Sequence, residues 1–519
     1  MITALTAICL TWQSNPNNKL DTALQTATGL QPIFVRMENQ LFKKGGDFEA
    51  FCKANENTPR SKVSQQVLST LKSNSNKDWE QIKSFVSEWE AKEQISDVQR
   101  FWIVNGFACD ATAEACKALA SRSDVSFVYL QTGPTGLRQH RQRRRNSEPS
   151  EANKAAMQKG FAEQKDDTDK PFSTNGLEIP WDIKQIQVDQ VWEKEGITGK
   201  GTIVAINDGG AFQIPALESA LWRNKQETLD GKDNDNNGYV DDIFGWDTAG
   251  QHGYVLGNPG VHHGTFCSAI VGGRPTSEKN LVTGVAPRSQ LMLINGMGYI
   301  GGFEYALDNG ADVFSMSYMF VNMEIGNYRG VFRLAAEHAT AAGMLLCGGA
   351  GNFANSAPEG KQITIPKDIP CVLSAAGTKE DGSRPDFSSK GPVTWSGVKF
   401  YDDYPASKPL SKPDVSAPAS GFPCWGMADA VRPAWKVIFQ GKGNDVLVTG
   451  PQGNSFAGPH AGGVAALMFS ANQEINPWQV KRIMEETCKD MGDPGRDFVH
   501  GAGVVQALEA VRKAKAMKF

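Results

Sequence analysis

The chain lacks three features that would each define a class of protein. It has no run of 18 apolar residues, no Cys-x-x-Cys pair among its nine cysteines, and no excess of basic residues. A membrane-spanning helix needs about 20 apolar residues, so no membrane span is expected. The odd number of scattered cysteines leaves at least one thiol free and matches neither a zinc site nor a disulfide framework. The balance of 53 basic against 57 acidic residues argues against a dedicated nucleic-acid or membrane-surface protein.

What the chain does contain indicates a large globular protein. Its 519 residues are 40% hydrophobic and 21% charged, which is enough to bury a sizeable core. At about 150 residues per domain, this length predicts roughly three units. The 53 glycines indicate many tight turns and close backbone contacts.

Residues 1–20 form a signal-like segment. The stretch from Ile2 to Trp12 is mostly apolar, but no basic residue precedes it. A secretory signal normally begins with a charged region, so this segment resembles a signal that lacks that part. It favours export, and we expect a secreted or periplasmic protein.

Residues 31–131 are predicted to form a small α+β unit. Apolar extended runs predict strands at 33–37, 101–107 and 125–130, and a short helix is predicted at 112–121. A second helix is predicted at 78–92, where bulky apolar side chains recur at helical spacing: Trp79, Ile82, Phe85, Val86 and Trp89.

Residues 132–178 are predicted to form a charged linker. Five arginines lie within positions 138–145, and a Ser-, Glu-, Lys- and Asp-rich stretch follows to Ser173. Such a composition does not bury a core, so the segment is predicted to be exposed. The arginine run has three interpretations: a protease-processing site, a nucleic-acid-binding tail, or an ordinary solvated run. The neutral to acidic remainder of the chain weakens the second interpretation.

After the linker, short β-branched strands alternate with helical segments. The predicted strands lie at 202–206, 291–294, 313–316, 344–347 and 372–375. This alternation indicates an α/β fold with a doubly wound, mostly parallel sheet and helices on both faces. In such sheets the site lies beyond the carboxyl ends of the strands.

Three segments of this region carry residues suited to nucleophilic catalysis. Asp208 ends a buried strand, while His263 and Ser455 each lie at the start of a helix rich in small residues. A serine hydroxyl needs a neighbouring base to become a nucleophile, and that base needs a carboxylate to orient it. Taken singly, the three are ordinary: a turn aspartate, a packed histidine and a helix N-cap serine. Their joint occurrence favours a catalytic triad.

The same segments resemble the motifs of the subtilisin-like serine peptidases, the subtilases. Val204-Ala-Ile-Asn-Asp208-Gly-Gly, His263-Gly-Thr and Gly453-Asn-Ser455-Phe-Ala-Gly-Pro-His460 are similar to the three motifs of that family, and the resemblance runs from about 180 to 512. Two departures stand out, since Gly209 and Asn454 replace threonines of the family pattern. Neither change removes a catalytic group.

The resemblance implies a serine endopeptidase made as a self-inhibited zymogen. Ser455 would attack the peptide carbonyl, His263 would take its proton, Asp208 would orient His263, and Asn352 would hold the oxyanion together with the Ser455 N–H. Residues 31–131 would be the inhibitory prodomain and 179–519 the peptidase domain. The expected partners are protein or peptide substrates and the chain's own propeptide, with no nucleic acid and no cofactor for catalysis. A monomer is expected.

The resemblance also suggests a substrate preference. Subtilases have two glycines that wall an open primary specificity pocket, and Met319 and Phe320 stand at those positions here. Their side chains would reduce the pocket, so we expect small or slender residues before the scissile bond.

Residues 229–242 contain a candidate calcium loop. Asp233, Asp235 and Asn237 supply oxygens at alternate positions before Gly238, and either Asp241 or Asp242 is placed to close the shell. The twelfth position of the loop is Phe244 rather than glutamate, so the segment is not an EF-hand. Two interpretations remain: a structural calcium site and an Asx-rich surface turn.

Two functions of other classes compete with the peptidase. One is a catalytically silent, calcium-dependent scaffold with the same fold, and the other is a nucleic-acid-associated protein that uses the arginine run. Labelling by a fluorophosphonate separates the first from an enzyme. Salt-dependent nucleic-acid binding that is lost on deletion of 138–145 would support the second.

Overall fold

The computed structural model describes residues 19–132, 139, 149–163, 172–257, 262–321, 323 and 325–519. The signal-like segment, apart from residues 19 and 20, and the five arginines of the linker lie outside this range. The described chain contains two packed units, an N-terminal one at 19–132 and a C-terminal one at 172–519.

The N-terminal unit is a four-stranded antiparallel sheet with helices. The strand order is β2-β3-β1-β4. The strands are β1 (Gln31–Met37), β2 (Ile95–Phe101), β3 (Gly106–Ala111) and β4 (Val125–Leu130), and the helices are α1 (Asp47–Ala54), α2 (Arg60–Ala91) and α3 (Ala113–Ser121). The Thr112 side chain caps α3 by accepting from the Ala115 N–H at 3.3 Å. The predicted α+β character agrees with this arrangement.

Two predicted elements of this unit were wrong in detail. The single strand predicted at 101–107 is the turn between β2 and β3, because Asn105 adopts a φ of 38° and reverses the chain. The helix predicted at 78–92 is the second half of the 32-residue α2. The missed half has a narrow apolar stripe of Val63, Val67 and Leu71, all buried, on an otherwise polar helix.

The C-terminal unit is built on a seven-stranded sheet in the order β11-β10-β9-β8-β5-β7-β6, and every strand pair in it is parallel. Its strands are β5 (Ile203–Asp208), β6 (Gly245–Asp247), β7 (Gln290–Asn295), β8 (Val313–Met316), β9 (Leu345–Gly349), β10 (Leu373–Thr378) and β11 (Val415–Pro418). Separate apolar clusters fill its two faces. The predicted doubly wound α/β fold is confirmed.

The described residues of the C-terminal unit also form eight α-helices and a small second sheet. The helices are α5 (Trp181–Gln185), α6 (Val188–Glu195), α7 (His262–Gly272), α8 (Gly301–Asp308), α9 (Arg329–Ala341), α10 (Asn454–Ala471), α11 (Pro477–Glu486) and α12 (Ala507–Ala516). The second sheet has the order β12-β14-β13 and was not predicted; its strands are β12 (Cys424–Met427), β13 (Lys436–Gln440) and β14 (Asp445–Thr449).

Part of the predicted linker is folded onto the C-terminal unit. Helix α4 (Glu151–Glu163) buries Asn153, Met157 and Gly160, and the Asn153 amide donates to the Leu256 carbonyl at 3.0 Å. The prediction of an exposed 132–178 segment is therefore wrong for this helix. Its few apolar side chains are enough because they pack into an existing core rather than build one.

The two units share one apolar cluster and several polar contacts. Val63, Val67 and Leu71 of α2 pack in the same cluster as residues of α8 and α9. Arg60 forms an ion pair with Asp312 at the start of β8, and Lys72 forms one with Asp308 at 2.6 Å.

No described helix is both long and apolar enough to cross a membrane. The eight cysteines of the described residues are free, and Cys9 lies outside them.

Candidate active site

Asp208 is the last residue of β5, at the carboxyl end of the central part of the sheet. Its Oδ1 accepts from the Gly209 N–H at 2.8 Å. The next helix approaches this strand end closely, since a Cβ added to Gly264 would lie 2.0 Å from the Gly210 carbonyl oxygen. The small residues after Asp208 and His263 therefore allow α7 to begin against the strand end.

His263 is the second residue of α7 and contacts Asp208 directly. Its Nδ1 lies 2.7 Å from the Asp208 Oδ2, and the His263 side chain is 41% exposed whereas that of Asp208 is 7% exposed. A carboxylate only accepts hydrogen bonds, so the neutral imidazole carries its proton on Nδ1. Its Nε2 is then the lone-pair nitrogen, as a general base requires.

The surroundings of His263 set its protonation. Burial disfavours the charged imidazolium and lowers the pKa of His263, but the Cys267 and Asp208 groups facing the ring raise it by more. The pKa therefore lies well above its ordinary value of 6.5. Burial also raises the pKa of the Cys267 thiol, whose Sγ lies 3.9 Å from the His263 Nδ1.

Ser455 lies in the first turn of α10, beside His263. Its neighbour Phe456 packs on the imidazole with ring centroids 5.9 Å apart, and Cys267 donates to the Ser455 carbonyl at 3.7 Å. The Ser455 hydroxyl donates to the Ser317 carbonyl at 3.3 Å, and the Ser317 hydroxyl donates to the Ser455 carbonyl at 2.7 Å. Ser317 thus holds the backbone of Ser455, a contact the sequence analysis did not predict.

Asn352 lies just beyond the end of β9, next to the start of α10. Its Oδ1 accepts from the Asn454 N–H at 2.7 Å, which leaves Nδ2 as the donor end of the amide. The Asn454 side chain in turn donates to the Gly351 carbonyl at 2.8 Å. The asparagine that departs from the family pattern at position 454 therefore fixes the Asn352 segment against the helix.

The structure also brings β9 and α10 into direct backbone contact. A Cβ added to Gly349 would lie 1.8 Å from the Asn454 carbonyl oxygen, and one added to Gly458 would lie 2.6 Å from the Gly349 N. Only glycine permits this approach. The result is a convergence of Asn352 Nδ2 and the N-terminal N–H groups of α10, where a helix favours negative charge.

Two further histidines lie in or beside the motifs: His460 ends the third motif, and His262 precedes His263. Their contacts differ from those of His263. His460 is buried, with Nε2 3.1 Å from Asp182 Oδ2 and Nδ1 2.8 Å from the Phe456 carbonyl. His262 packs against the Phe212 ring at 5.3 Å. Among the described residues, the Asp–His ion pairs are His263 with Asp208 at the strand end and His460 with Asp182 in the core.

The candidate calcium loop brings a different set of acids together than the sequence indicated. Carboxylate oxygens of Glu227, Asp233 and Asp235 lie within 4.8 Å of one another. Asp241 turns its Oδ1 instead to the Asp230 and Gly231 N–H groups, both at 3.0 Å. Glu227 was missed because it lies six residues before the repeating oxygen pattern.

Asn237 and Asp242 lie on one side of this loop. The Asn237 amide donates to Asp235 at 3.1 Å and to Asp242 at 3.2 Å. Burial raises the pKa of Asp242 to about 6. The donor set of carboxylate and amide oxygens is of the type that calcium prefers.

Comparison with known proteins gives a family match. A model described as the subtilase family matches residues 199–503. Bacillopeptidase F of Bacillus subtilis (strain 168) is 24% identical over 469 residues, covering 86% of this chain and 28% of that protein. Minor extracellular protease Epr of the same organism is 23% identical over 361 residues, covering 65% of this chain and 44% of that protein. The chain thus spans less than half the length of either relative.

A solved structure supports the fold. The crystal structure of fervidolysin from Fervidobacterium pennivorans, a keratinolytic enzyme related to subtilisin, matches with a TM-score of 0.54 and 18% identity. The match covers 93% of this chain and 61% of that one.

Proposed function

The chain belongs to the subtilase family of serine peptidases, and from this premise we propose that it hydrolyses peptide bonds with Asp208, His263 and Ser455 as its triad. The observation that carries the proposal is the 2.7 Å contact between His263 Nδ1 and Asp208 Oδ2 at a strand end, next to the first turn of α10. A buried carboxylate that orients an imidazole beside a serine is the arrangement that acyl transfer needs.

The first chemical step forms an acyl-enzyme. The Ser455 hydroxyl turns from the Ser317 carbonyl towards His263, its Oγ bonds to the peptide carbonyl carbon, and its proton passes to His263 Nε2. The carbonyl oxygen gains negative charge and receives hydrogen bonds from Asn352 Nδ2 and the Ser455 N–H. His263 then gives the proton to the departing amine, and the C–N bond breaks.

The second step releases the acyl group. A water molecule gives a proton to His263 Nε2 while its oxygen bonds to the acyl carbon, and the Ser455 Oγ leaves with the proton that His263 returns. Asp208 stabilises the imidazolium in both steps without itself taking a proton. No metal or cofactor takes part in either step.

We also propose that residues 31–131 act as an inhibitory prodomain. Support comes from the contact of α2 and the β2–β3 turn with the peptidase unit. The Ile103 N–H donates to Glu304 at 2.9 Å, and burial at this contact raises the pKa of the Glu304 carboxyl to about 8. We propose that the processing bond lies within residues 133–148, because α4 packs on the peptidase unit and would remain with it after cleavage.

We also propose that the protein is exported. This agrees with the signal-like segment and with the extracellular location that the name of Epr states for that relative.

A structural calcium ion is proposed in the loop of Glu227, Asp233 and Asp235. Three carboxylates within 4.8 Å repel one another, and a divalent cation would remove that repulsion. The ion would tie the loop to the folded state and would supply no chemistry to peptide hydrolysis. The residues fit calcium because their donor atoms are all oxygens.

The test of the activity is a pair of serine variants on one helix. Ser455→Ala should lower turnover of a peptide substrate by about 10⁶, the loss found when a triad serine is removed from subtilisin. Ser470→Ala is the matched control, since the Ser470 hydroxyl only donates to the Lys200 carbonyl at the other end of α10. Equal activity of the two variants would refute Ser455 as the nucleophile, and a wild type without peptidase activity would favour the silent scaffold.

A further inference from the structure

A hairpin of the peptidase unit, residues 393–404, ends against the N-terminal unit. Its two arms pair where the Trp395 N–H donates to the Tyr404 carbonyl at 2.8 Å. Lys399 and Phe400 form the tip between the arms. We call this hairpin the strap, because its base lies on the peptidase unit and its tip contacts the other unit.

The base of the strap is fixed to helix α9. The buried Arg333 guanidinium donates to both oxygens of the Asp403 carboxylate, at 2.8 and 2.5 Å. The same guanidinium lies 4.9 Å from the centre of the buried Trp395 ring. Two parallel hydrogen bonds fix the orientation of a carboxylate as well as its distance, so the Asp403 side chain has little freedom to move.

The ring of Phe400 at the tip fills a socket on the N-terminal unit. The guanidinium carbon of Arg36 on β1 lies 3.9 Å from the centre of this ring. The Phe127 ring on β4 meets it edge-on, with centroids 6.1 Å apart. Arg36 and Phe127 are both buried, and a guanidinium attracts an aromatic face more strongly when water is excluded.

The backbone of Phe400 is strained in this position. Its φ is 71°, in the left-handed region that a residue of this size rarely adopts. Such a conformation persists where the surrounding contacts maintain it, and here the Phe400 carbonyl accepts from the Gly45 N–H at 2.9 Å. A glycine would form the turn without strain. The phenylalanine is therefore explained by its contacts with the N-terminal unit and not by the needs of the hairpin.

Gly45 allows the strap to lie directly on the backbone of the N-terminal unit. A Cβ added to Gly45 would lie 2.6 Å from the Asp403 Cγ. Because Arg333 holds that carboxylate in place, it could not move aside. The two units are thus matched in shape at this contact.

Asn327 joins the strap to the N-terminal unit through one amide group. Its Oδ1 accepts from the Lys399 N–H at 2.8 Å, and its Nδ2 donates to the Asp21 carboxylate at 2.7 Å. Asp21 also accepts from the N–H of Leu130, the last residue of β4, at 2.9 Å. The contact therefore lies at the end of the unit from which the linker starts.

We propose that the strap holds the prodomain on the peptidase unit after the linker has been cut, with Phe400 as the residue that engages it. Before cleavage the linker alone keeps the two units together at a high effective concentration. After cleavage, retention depends on the contacts between them. The proposal rests on the proposed inhibitory role of residues 31–131, and it adds an element that sets how long inhibition lasts.

The test follows two events in the full-length chain: cleavage of the linker, seen on a denaturing gel, and the appearance of activity on a peptide substrate. Phe400→Gly removes the ring and keeps a residue that adopts a φ of 71° without strain. We expect an unchanged rate of cleavage and a lag between cleavage and activity that is shorter by about tenfold, because losing a buried ring and its cation–π contact mainly speeds dissociation. The kcat/KM of the processed enzyme should not change.

Two neighbouring aspartates give a matched pair of variants. Asp403→Ala removes the carboxylate that Arg333 holds and should shorten the lag. Asp402→Ala removes the same charge from an exposed position of the strap and should leave the lag unchanged.

Gly45→Ala tests the contact from the side of the prodomain. The added methyl group would meet the Asp403 carboxylate, so the lag should shorten. In the Asp403→Ala background the same change should have no further effect, whereas a general loss of prodomain stability would still add. Phe400→Gly and Gly45→Ala leave Arg333 paired, so they test the proposal even if Asp403→Ala does not fold.

The outcomes separate a failure of the strap from a failure of the proposed function. If Phe400→Gly and Gly45→Ala keep the wild-type lag, or if wild-type activity appears at the moment of cleavage, the strap does not retain the prodomain. If the uncut wild type is already fully active, residues 31–131 do not inhibit, and the proposed prodomain function itself is wrong.

Discussion

Replacing Asp208 with asparagine removes the charge that orients His263 and keeps nearly the same shape. The asparagine side chain would offer an amide to Nδ1, so the imidazole would carry its proton on Nε2 instead of Nδ1. That tautomer has no lone pair facing Ser455. In serine peptidases the equivalent change costs about 10⁴ in kcat, which corresponds to about 5.4 kcal/mol in the barrier.

The same substitution should move the pH profile. The base must be neutral to work, so activity is lost as pH falls through the pKa of His263. With Asp208 facing the ring, the pKa of His263 lies above its ordinary value of 6.5. We therefore expect the activity of the wild type to fall on the acid side at a pH above 6.5. Asp208→Asn removes one of the groups that raise the pKa, so the limb of the residual activity should shift to lower pH.

The assay is kcat/KM for a chromogenic peptide, measured across the pH range for wild type and variant. Asp182→Asn is the control, because Asp182 lies 3.1 Å from the buried His460 in a pair outside the site. It should lower the melting temperature and leave the acid limb in place. If Asp208→Asn retains activity within tenfold of the wild type, or keeps the wild-type acid limb, the assigned role of Asp208 is wrong.

Three further changes test other parts of the account. Asn352→Ala should lower kcat by about 10²–10³, the loss found for one oxyanion donor in subtilisin, with KM nearly unchanged in steady-state assays. Removing calcium with a chelator should lower the melting temperature by several degrees, and Glu227→Gln should abolish that shift; an equal shift in both proteins would mean that the loop is only a turn. Arg60→Ala in the full-length chain should shorten the lag before activity appears, whereas Lys83→Ala, whose lysine pairs only with Glu80 on the surface, should not.

The parts of the fold that could be predicted are those written into short contiguous segments. Five of the seven strands of the large sheet, β5, β7, β8, β9 and β10, are β-branched or apolar runs, so their positions were found within a few residues, whereas β6 and β11 were not predicted from such runs. Asp208 and Ser455 were found because each ends or begins such an element. The resemblance to a known family then supplied the relation between them, which no local pattern contains.

The parts that could not be predicted depend on contacts between distant segments. Helix α4 was taken as exposed because its composition is polar, and only the surface beneath it explains its buried Met157. Glu227 lies close to Asp233 and Asp235 only because the backbone turns between them. The alternating pattern of oxygen side chains at 233–237 does not predict that turn. Lys367 has the sequence surroundings of an ordinary loop lysine, and its burial appears only once β8 and β9 are in place.

The central claim is that Ser455 is the nucleophile activated by His263. Its most direct test is to treat the full-length chain with a fluorophosphonate and to map the modified residue by mass spectrometry of peptides. We expect a single covalent adduct on Ser455, which is absent in Ser455→Ala and strongly reduced in His263→Ala. An adduct at another serine, or equal labelling of Ser455 when His263 is replaced, would contradict it.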